Sequence, residues 1–179
     1  MWAAAALFAA VGARAQEAPR LTQEEALRLA FPSPAVIERR TAFLRDADLA
    51  RAGALAGGDA PPASAVVTYY VARAGDSLLG AAYFDAHRVR SLREVLMVVV
   101  APDARVRRVE VVRFDEPPDY LPPASWLRQL DGRALDDDLS LSGAIATMSG
   151  ATLTARAAVR ATRRALALHA VIRPFGNAP

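Results

Sequence analysis

The 179-residue chain contains no cysteine, no lysine and only two histidines, His87 and His169. The missing cysteines exclude disulfides, thiolate nucleophiles, iron–sulfur ligation and cysteine-bound zinc. Two histidines are too few to predict a metal site. All 22 basic residues are arginine, and 19 acidic residues leave a net charge of +3, which gives little electrostatic attraction for nucleic acid. We therefore expect no metal and no nucleic-acid partner.

Long apolar runs are also scarce, and the clearest one lies at the N-terminus. Residues 1–12 are uncharged and apolar, and Ala13–Arg14–Ala15 has the small-x-small pattern of a signal-peptidase site. The run is too short to span a bilayer, which takes roughly 20 residues. We expect residues 1–15 to be an export signal that directs the protein to the periplasm or the extracytoplasmic face of the membrane. A buried N-terminal helix is the alternative.

The following segment predicts helices. Thr22 and Glu25 have the spacing of a capping box at the start of a helix. The prolines of 32–34 end that helix and allow another to begin. Apolar residues then recur at helical spacing, namely Val36, Ile37, Phe43, Leu44 and Leu49. We therefore predict an N-terminal helical arm over residues 16–62.

The centre of the chain predicts β-structure. Four segments rich in strand-forming residues are joined by short turns, which is typical of an antiparallel meander; they are 65–73, 78–86, 94–101 and 106–114. A short helix is expected at 126–130, and 135–148 is compatible with a strand. A strong helix begins at Thr154. The predicted fold class is α+β: an antiparallel sheet of about four strands flanked by N-terminal helices and a C-terminal helix, with the sheet domain over 63–172 and a tail over 173–179.

Small residues and hydroxyls precede the last helix, in the segment Ser149–Thr154. Thr152 or Thr154 could simply cap the helix. The same place also suits an anion, because free N–H groups and the positive end of the helix dipole favour a phosphate and Gly150 allows close approach. The helix carries four arginines and no acid; these are Arg156 and Arg160, which share a face, and Arg163 and Arg164, which read as solvated surface.

The sequence Ser149–Gly150–Ala151–Thr152 resembles the flavinylation motif of the FMN-binding domain family. That family includes the extracytoplasmic FMN subunits of the sodium-pumping NADH:quinone oxidoreductase and of the Rnf complex. In such proteins a flavin transferase joins the phosphate of FMN to the threonine hydroxyl as a phosphoester. The resemblance implies Thr152 as the acceptor, with Thr154 as the alternative, and makes 63–172 the FMN-binding domain.

The resemblance extends from about Thr68 to His169. Family members usually carry an aspartate three residues before the motif, where this chain has Ala146, and a Glu-Thr-Pro-Gly-Leu segment, where it has Glu116–Tyr120. Tyr120 could stack on the flavin ring or pack at a rim, Glu116 could be a surface acid, and Arg133 could be a basic residue near the flavin. The implied cofactor-binding residues are Thr152, Ser149, Gly150, Ala151, Leu153, Thr154, Glu116, Pro117, Tyr120 and Arg133.

The central strands also contain a polar cluster outside this motif. Asp85 and His87 alternate onto one face of a strand, close to Arg88 and Arg90. No nucleophile accompanies them, so His87 is expected to be structural or to shape the flavin pocket. The run Asp136–Asp138 is expected to be a solvated turn.

Together these features predict an exported electron carrier with FMN as its cofactor. The expected partners are a membrane-bound electron-transfer protein and, during maturation, the flavin transferase. Three alternatives stay open: reversible binding of FMN or another phosphorylated ligand, a flavin-dependent reductase with a small substrate, and an anion-binding interaction domain without flavin.

Overall fold

Five antiparallel strands lie side by side in chain order. The computed structural model describes residues 18–58 and 61–176, so the expected export signal lies outside the described residues. The elements in chain order are α1 (Gln23–Ala30), β1 (Val36–Phe43), α2 (Asp46–Ala56), β2 (Val66–Ala74), β3 (Ser77–Arg88), β4 (Arg93–Val100), β5 (Val106–Phe114), α3 (Ala124–Leu127) and α4 (Thr152–Ile172), with 3-10 turns at Pro118–Tyr120 and Arg128–Leu130. The predicted α+β class is confirmed, with five strands instead of about four.

The sheet separates two hydrophobic cores because successive side chains of a strand point to opposite faces. On one face α4 packs over alternate residues of the central strands, such as Val71, Leu96 and Val98. On the other face α1 covers the intervening residues, such as Met97 and Val99. α2 lies beside α4, where alanines allow close contact between the two helices. The side of the sheet that faces α4 carries the larger core, and it also carries Asp85, His87 and Glu94, the sheet residues of the charged network described below.

The N-terminal arm differs from the prediction at one element. The capping box of α1 is present, since Thr22 Oγ1 accepts from the Glu25 N–H at 3.2 Å and the Glu25 carboxylate accepts from the Thr22 N–H at 2.7 Å. The predicted second helix is wrong over residues 36–43, which form β1 and pair with β2 from Val36↔Arg73 to Phe43↔Val66. β-branched residues suit this strand, and the partner strand decides the conformation. The helix resumes only as α2.

Residues 135–148 form consecutive turns, so the strand considered for them is wrong. Leu139 and Ile145 are buried and anchor the segment to the main core. The backbone is folded so tightly at Gly143 that a Cβ atom there would lie 2.8 Å from the Asp137 carbonyl oxygen. Asp136–Asp138 are exposed turn residues, as predicted. Within the described ranges, none of the helices has the length and apolar character needed to cross a membrane.

Candidate functional site

The motif forms a tight bend that leads directly into α4. Gly150 has φ +78°, a conformation that side chains disfavour, and this explains the glycine better than close packing, since a Cβ there would meet nothing within 4 Å. Ala151 is the N-cap residue and no side chain caps the helix, so neither threonine has the capping role. Thr152 is the first helical residue, and its hydroxyl donates to the Met148 carbonyl at 3.3 Å.

The two threonines differ sharply in exposure. Thr152 lies on the surface together with Ser149, whereas Thr154 is 1% exposed. Leu153 between them is 43% exposed. The first turn of α4 contains no acidic residue, so the positive end of its dipole is not offset there. A phosphate could therefore reach the hydroxyl of Thr152 but not that of Thr154 without a local rearrangement.

Ala146, which stands where the family usually has an aspartate, has its backbone fixed by two hydrogen bonds. The Ala146 carbonyl accepts from Trp126 Nε1 at 2.8 Å, and the Ala146 N–H donates to Gln129 Oε1 at 2.9 Å. The Ala146 side chain is exposed. The backbone ahead of the motif is thus fixed by α3 and the turn after it, while the side-chain position at 146 remains accessible.

Glu116 lies at the end of the sheet where β5 finishes, and it is buried at 5% exposure. One of its carboxylate oxygens accepts three backbone N–H groups, from Arg90 at 3.0 Å, Ser91 at 2.9 Å and Leu92 at 2.8 Å. The bonds from Leu92 and Ser91 contribute most to a lowered pKa for Glu116. Glu116 is therefore not a surface acid: it fixes the turn between β3 and β4.

Tyr120 lies next to that turn. Its ring is half-buried and packs against the main core, and the Arg90 guanidinium carbon lies 4.1 Å from the ring centroid. Pro117 is exposed, and its carbonyl accepts the Tyr120 N–H at 3.0 Å in the 3-10 turn. Glu116, Tyr120 and Arg90 thus form one cluster. The sequence indicated Arg90 only as a neighbour of His87, because its contact with Tyr120 depends on the fold.

Arg133 lies away from the cluster of Tyr120, at the opposite end of β5. Its carbonyl accepts the Val106 N–H at 2.9 Å, at the start of β5, and its Nε donates to the Gln129 carbonyl at 3.1 Å. Glu116 follows the end of β5. A nine-residue strand therefore separates the backbone of Arg133 from the cluster around Tyr120.

A series of hydrogen-bonded charged side chains connects α4 with β3 and β4. Arg164 forms two hydrogen bonds of 2.8 Å with the Asp85 carboxylate. Asp85 bonds His87 Nδ1 at 2.8 Å, and His87 Nε2 bonds Glu94 at 2.8 Å. The expectation that Arg163 and Arg164 are solvated surface is wrong: the Arg164 side chain is 15% exposed, and Arg163 donates to three backbone carbonyls.

The network perturbs the acidity of its members. Burial would lower the pKa of His87, but the bonds to Asp85 and Glu94 outweigh it and raise the pKa to about 9. Burial opposes ionisation of Asp85, yet Arg164 and His87 lower its pKa to about 2. Burial raises the pKa of Glu94, whose Oε1 is buried without a hydrogen-bond partner among the described residues. The alternation of Asp85 and His87 signalled this cluster in the sequence, whereas the roles of Glu94 and Arg164 depend on pairing between distant segments.

Residues 93–167, from the first residue of β4 to the later turns of α4, match the model of a family described as FMN-binding domain. This match confirms the resemblance found in the sequence and supports FMN as the cofactor. Nothing among the curated proteins or the solved structures matches the chain significantly. The matched segment contains Glu116, Tyr120, Glu94 and the motif with Thr152. Within the described residues, no group of three or more His, Asp or Glu side chains is placed to hold a metal ion.

Proposed function

Since residues 93–167 match the FMN-binding domain family, we propose that the protein is an exported electron carrier whose FMN is joined to Thr152 by a phosphoester. The observation that carries this proposal is the contrast between the two candidate acceptors. Thr152 is exposed at the first position of a 21-residue helix, whereas Thr154 is buried. Of the two threonine hydroxyls, that of Thr152 is therefore the one open to a transferase.

The proposed attachment step is a phosphoryl transfer from an activated donor to the threonine hydroxyl. The transferase presents FMN as part of a phosphoanhydride. A bond forms between Thr152 Oγ1 and the FMN phosphorus, the anhydride P–O bond breaks, and the nucleotide phosphate departs. The hydroxyl proton passes to the transferase or to water. The product gains the mass of FMN less one water.

The residues around the motif fit the phosphate end of FMN. The first turn of α4 offers backbone N–H groups without a competing carboxylate or side-chain cap. Thr152 would hold the phosphate, while Ser149, Gly150, Ala151 and Leu153 shape the bend. The ring would face the cluster of Tyr120 and Arg90, whose turn Glu116 fixes. Bound FMN supplies the redox chemistry by taking up and releasing electrons, and the protein supplies retention and orientation.

Export and a membrane partner complete the proposal. A covalent tether prevents loss of the cofactor outside the cytoplasm, which is where the apolar N-terminal segment would direct the chain. The exposed start of α4 leaves the attachment position open to a partner. The proposed partner is a membrane-bound electron-transfer protein.

Intact-protein mass spectrometry after coexpression with a flavin transferase, in cells that export the protein, tests the assignment. We expect wild type and Thr154→Val to gain FMN less one water and Thr152→Val to gain nothing. Thr154→Val is the matched control because it removes the other hydroxyl of the same turn. Equal labelling of wild type and Thr152→Val would contradict Thr152 as the acceptor.

Reversible FMN binding is the alternative, and Ala146 motivates it because the family usually has an aspartate there. Acid precipitation separates the two possibilities. Flavin colour that stays with the pelleted protein supports the covalent link. Colour that passes completely to the supernatant supports reversible binding.

A flavin-dependent reductase is a second candidate because a cleft of about 540 Å³ lies beside the charged network. It is lined by Asp85, His87 and Arg164, by residues 61–64 and by apolar residues of β2 and β3, so charged groups converge where a small polar substrate could bind. This candidate requires catalytic turnover with a diffusible acceptor and a loss of that turnover in His87→Gln. Absence of turnover in flavin-loaded wild type would leave the electron carrier as the better description.

A further inference from the structure

We infer that Arg90, and not Arg133, is the positive charge that tunes the bound flavin. The inference rests on the proposed function, because it places the FMN ring beside the cluster of Tyr120. Positive charge near the ring nitrogens is one of the means by which a protein adjusts the reactivity of a flavin. Arg90 would act in this way, without taking part in a bond-making step.

The turn between β3 and β4 holds the Arg90 backbone in place. The Arg90 N–H donates to Glu116 at 3.0 Å, and the next two N–H groups donate to the same oxygen at 2.9 and 2.8 Å. Three bonds to one buried carboxylate fix three consecutive residues. The position from which the arginine side chain leaves the sheet is therefore set by Glu116.

The side chain is positioned as well. The Arg90 guanidinium carbon lies 4.1 Å from the centroid of the Tyr120 ring, a cation–π contact. The residue nevertheless remains exposed, so its charge is available to a ligand that covers the cluster. Guanidinium planes also stack on aromatic rings. A flavin ring that approaches Tyr120 would thus come close to a guanidinium that already packs on the tyrosine ring.

Neighbouring arginines are directed differently. Arg88 and Arg93 are paired across β3 and β4, and strand alternation puts them on the α1 face, opposite Glu94 and the main core against which Tyr120 packs. Arg133 lies at the start of β5 and donates to the Gln129 carbonyl. Arg90 is consequently the arginine of this turn that contacts the tyrosine.

Sulfite binding to the oxidised flavin tests the inference, because it places negative charge on the ring and is favoured by a nearby cation. Flavin-loaded wild type, Arg90→Gln, Arg90→Lys and Arg133→Gln would be titrated with sulfite and followed by flavin absorbance. We expect Arg90→Gln to weaken sulfite binding about tenfold, the scale of one partly screened charge contact. Arg90→Lys should retain most of the affinity, and Arg133→Gln should equal wild type.

The controls separate this inference from the proposed attachment. Mass spectrometry first establishes whether each variant carries flavin, and thermal unfolding establishes that Arg90→Gln is folded. If no variant gains flavin mass, the proposed attachment fails, and the same titrations with added FMN still test Arg90. Equal sulfite affinity in wild type and Arg90→Gln, or an equal loss in Arg133→Gln, would overturn the inference, as would a chain that binds no FMN in either form.

Discussion

The only two histidines of the chain should titrate far from the ordinary value and in opposite directions. His87 is bonded to two carboxylates, and its pKa is raised to about 9. His169 is buried at 5% exposure in the last turn of α4, where burial lowers its pKa to about 4. Its Nδ1 lies 3.1 Å from the Tyr83 hydroxyl, which suits a neutral imidazole that accepts a hydrogen bond.

The sign of each effect on stability follows from linkage between protonation and folding. The raised pKa of His87 stabilises the fold fully below about pH 6.5, and this contribution is lost as the pH rises to about 9. The lowered pKa of His169 stabilises the fold above about pH 6.5, and this contribution is lost as the pH falls to about 4. Each shift corresponds to up to about 3 kcal/mol of unfolding free energy.

Urea unfolding at a series of pH values measures these contributions. Wild type should lose up to about 3 kcal/mol between pH 6.5 and 9.5, whereas His87→Gln should be nearly independent of pH in that range. His169→Gln, which keeps a side chain able to accept from Tyr83, should lose less stability than wild type between pH 6.5 and 4. NMR of the two imidazole rings gives the pKa values directly. Parallel stability profiles for wild type and His87→Gln, or a His87 midpoint at or below pH 7, would refute the reasoning.

Three further predictions concern single side chains. Glu116→Gln weakens the acceptor of three N–H groups, so hydrogen exchange at Arg90–Leu92 should accelerate while amides of β4 keep their protection; equal protection at the turn would contradict the role of Glu116. Ala146→Asp restores the family residue at an exposed position, so initial flavin labelling by the transferase should be faster than in wild type, with Ala146→Asn as the uncharged control. Asp85→Asn breaks the pair with Arg164 and should reduce the free energy of unfolding by about 2–4 kcal/mol and move the pKa of His87 towards 6.5, as urea unfolding and NMR would show.

Local patterns in the sequence predicted those elements that local chemistry determines. The capping box of α1 satisfies its own hydrogen bonds within four residues. β2, β4 and β5 are rich in valine, and short turns join them and β3 into a meander. β1 was mistaken for a helix because its apolar residues also fit a helical period, and its conformation depends on pairing with β2, about thirty residues further along the chain. Periodicity alone cannot distinguish these outcomes in a short segment.

The candidate site likewise combines features that neighbouring residues determine with contacts between distant segments of the chain. The bend at Gly150 could be placed from the sequence because glycine, hydroxyls and a helix follow one another directly; the last helix was predicted from Thr154 and begins at Thr152. The partners of Glu116 lie 24 to 26 residues away, and Asp85 and Arg164 are separated by 79 residues. Such contacts arise only when the sheet is assembled, so neither the burial of Glu116 nor the pairing of Arg164 could be foreseen.

The arginines of α4 bear on the possibility of an anion-binding interaction domain without flavin. A basic helix without acids suggests a surface for acidic partners. However, Arg164 donates hydrogen bonds to Asp85, and Arg163 donates to carbonyls of α2 and of the 136–139 turns. Both side chains hold the fold together, since each bonds groups that would otherwise lie partly buried without a partner. At the beginning of the helix, by contrast, Arg156 is exposed one turn after Thr152 and no acid offsets the dipole. A single phosphate at the first turn fits this distribution of charge better than an extended acidic partner along the helix.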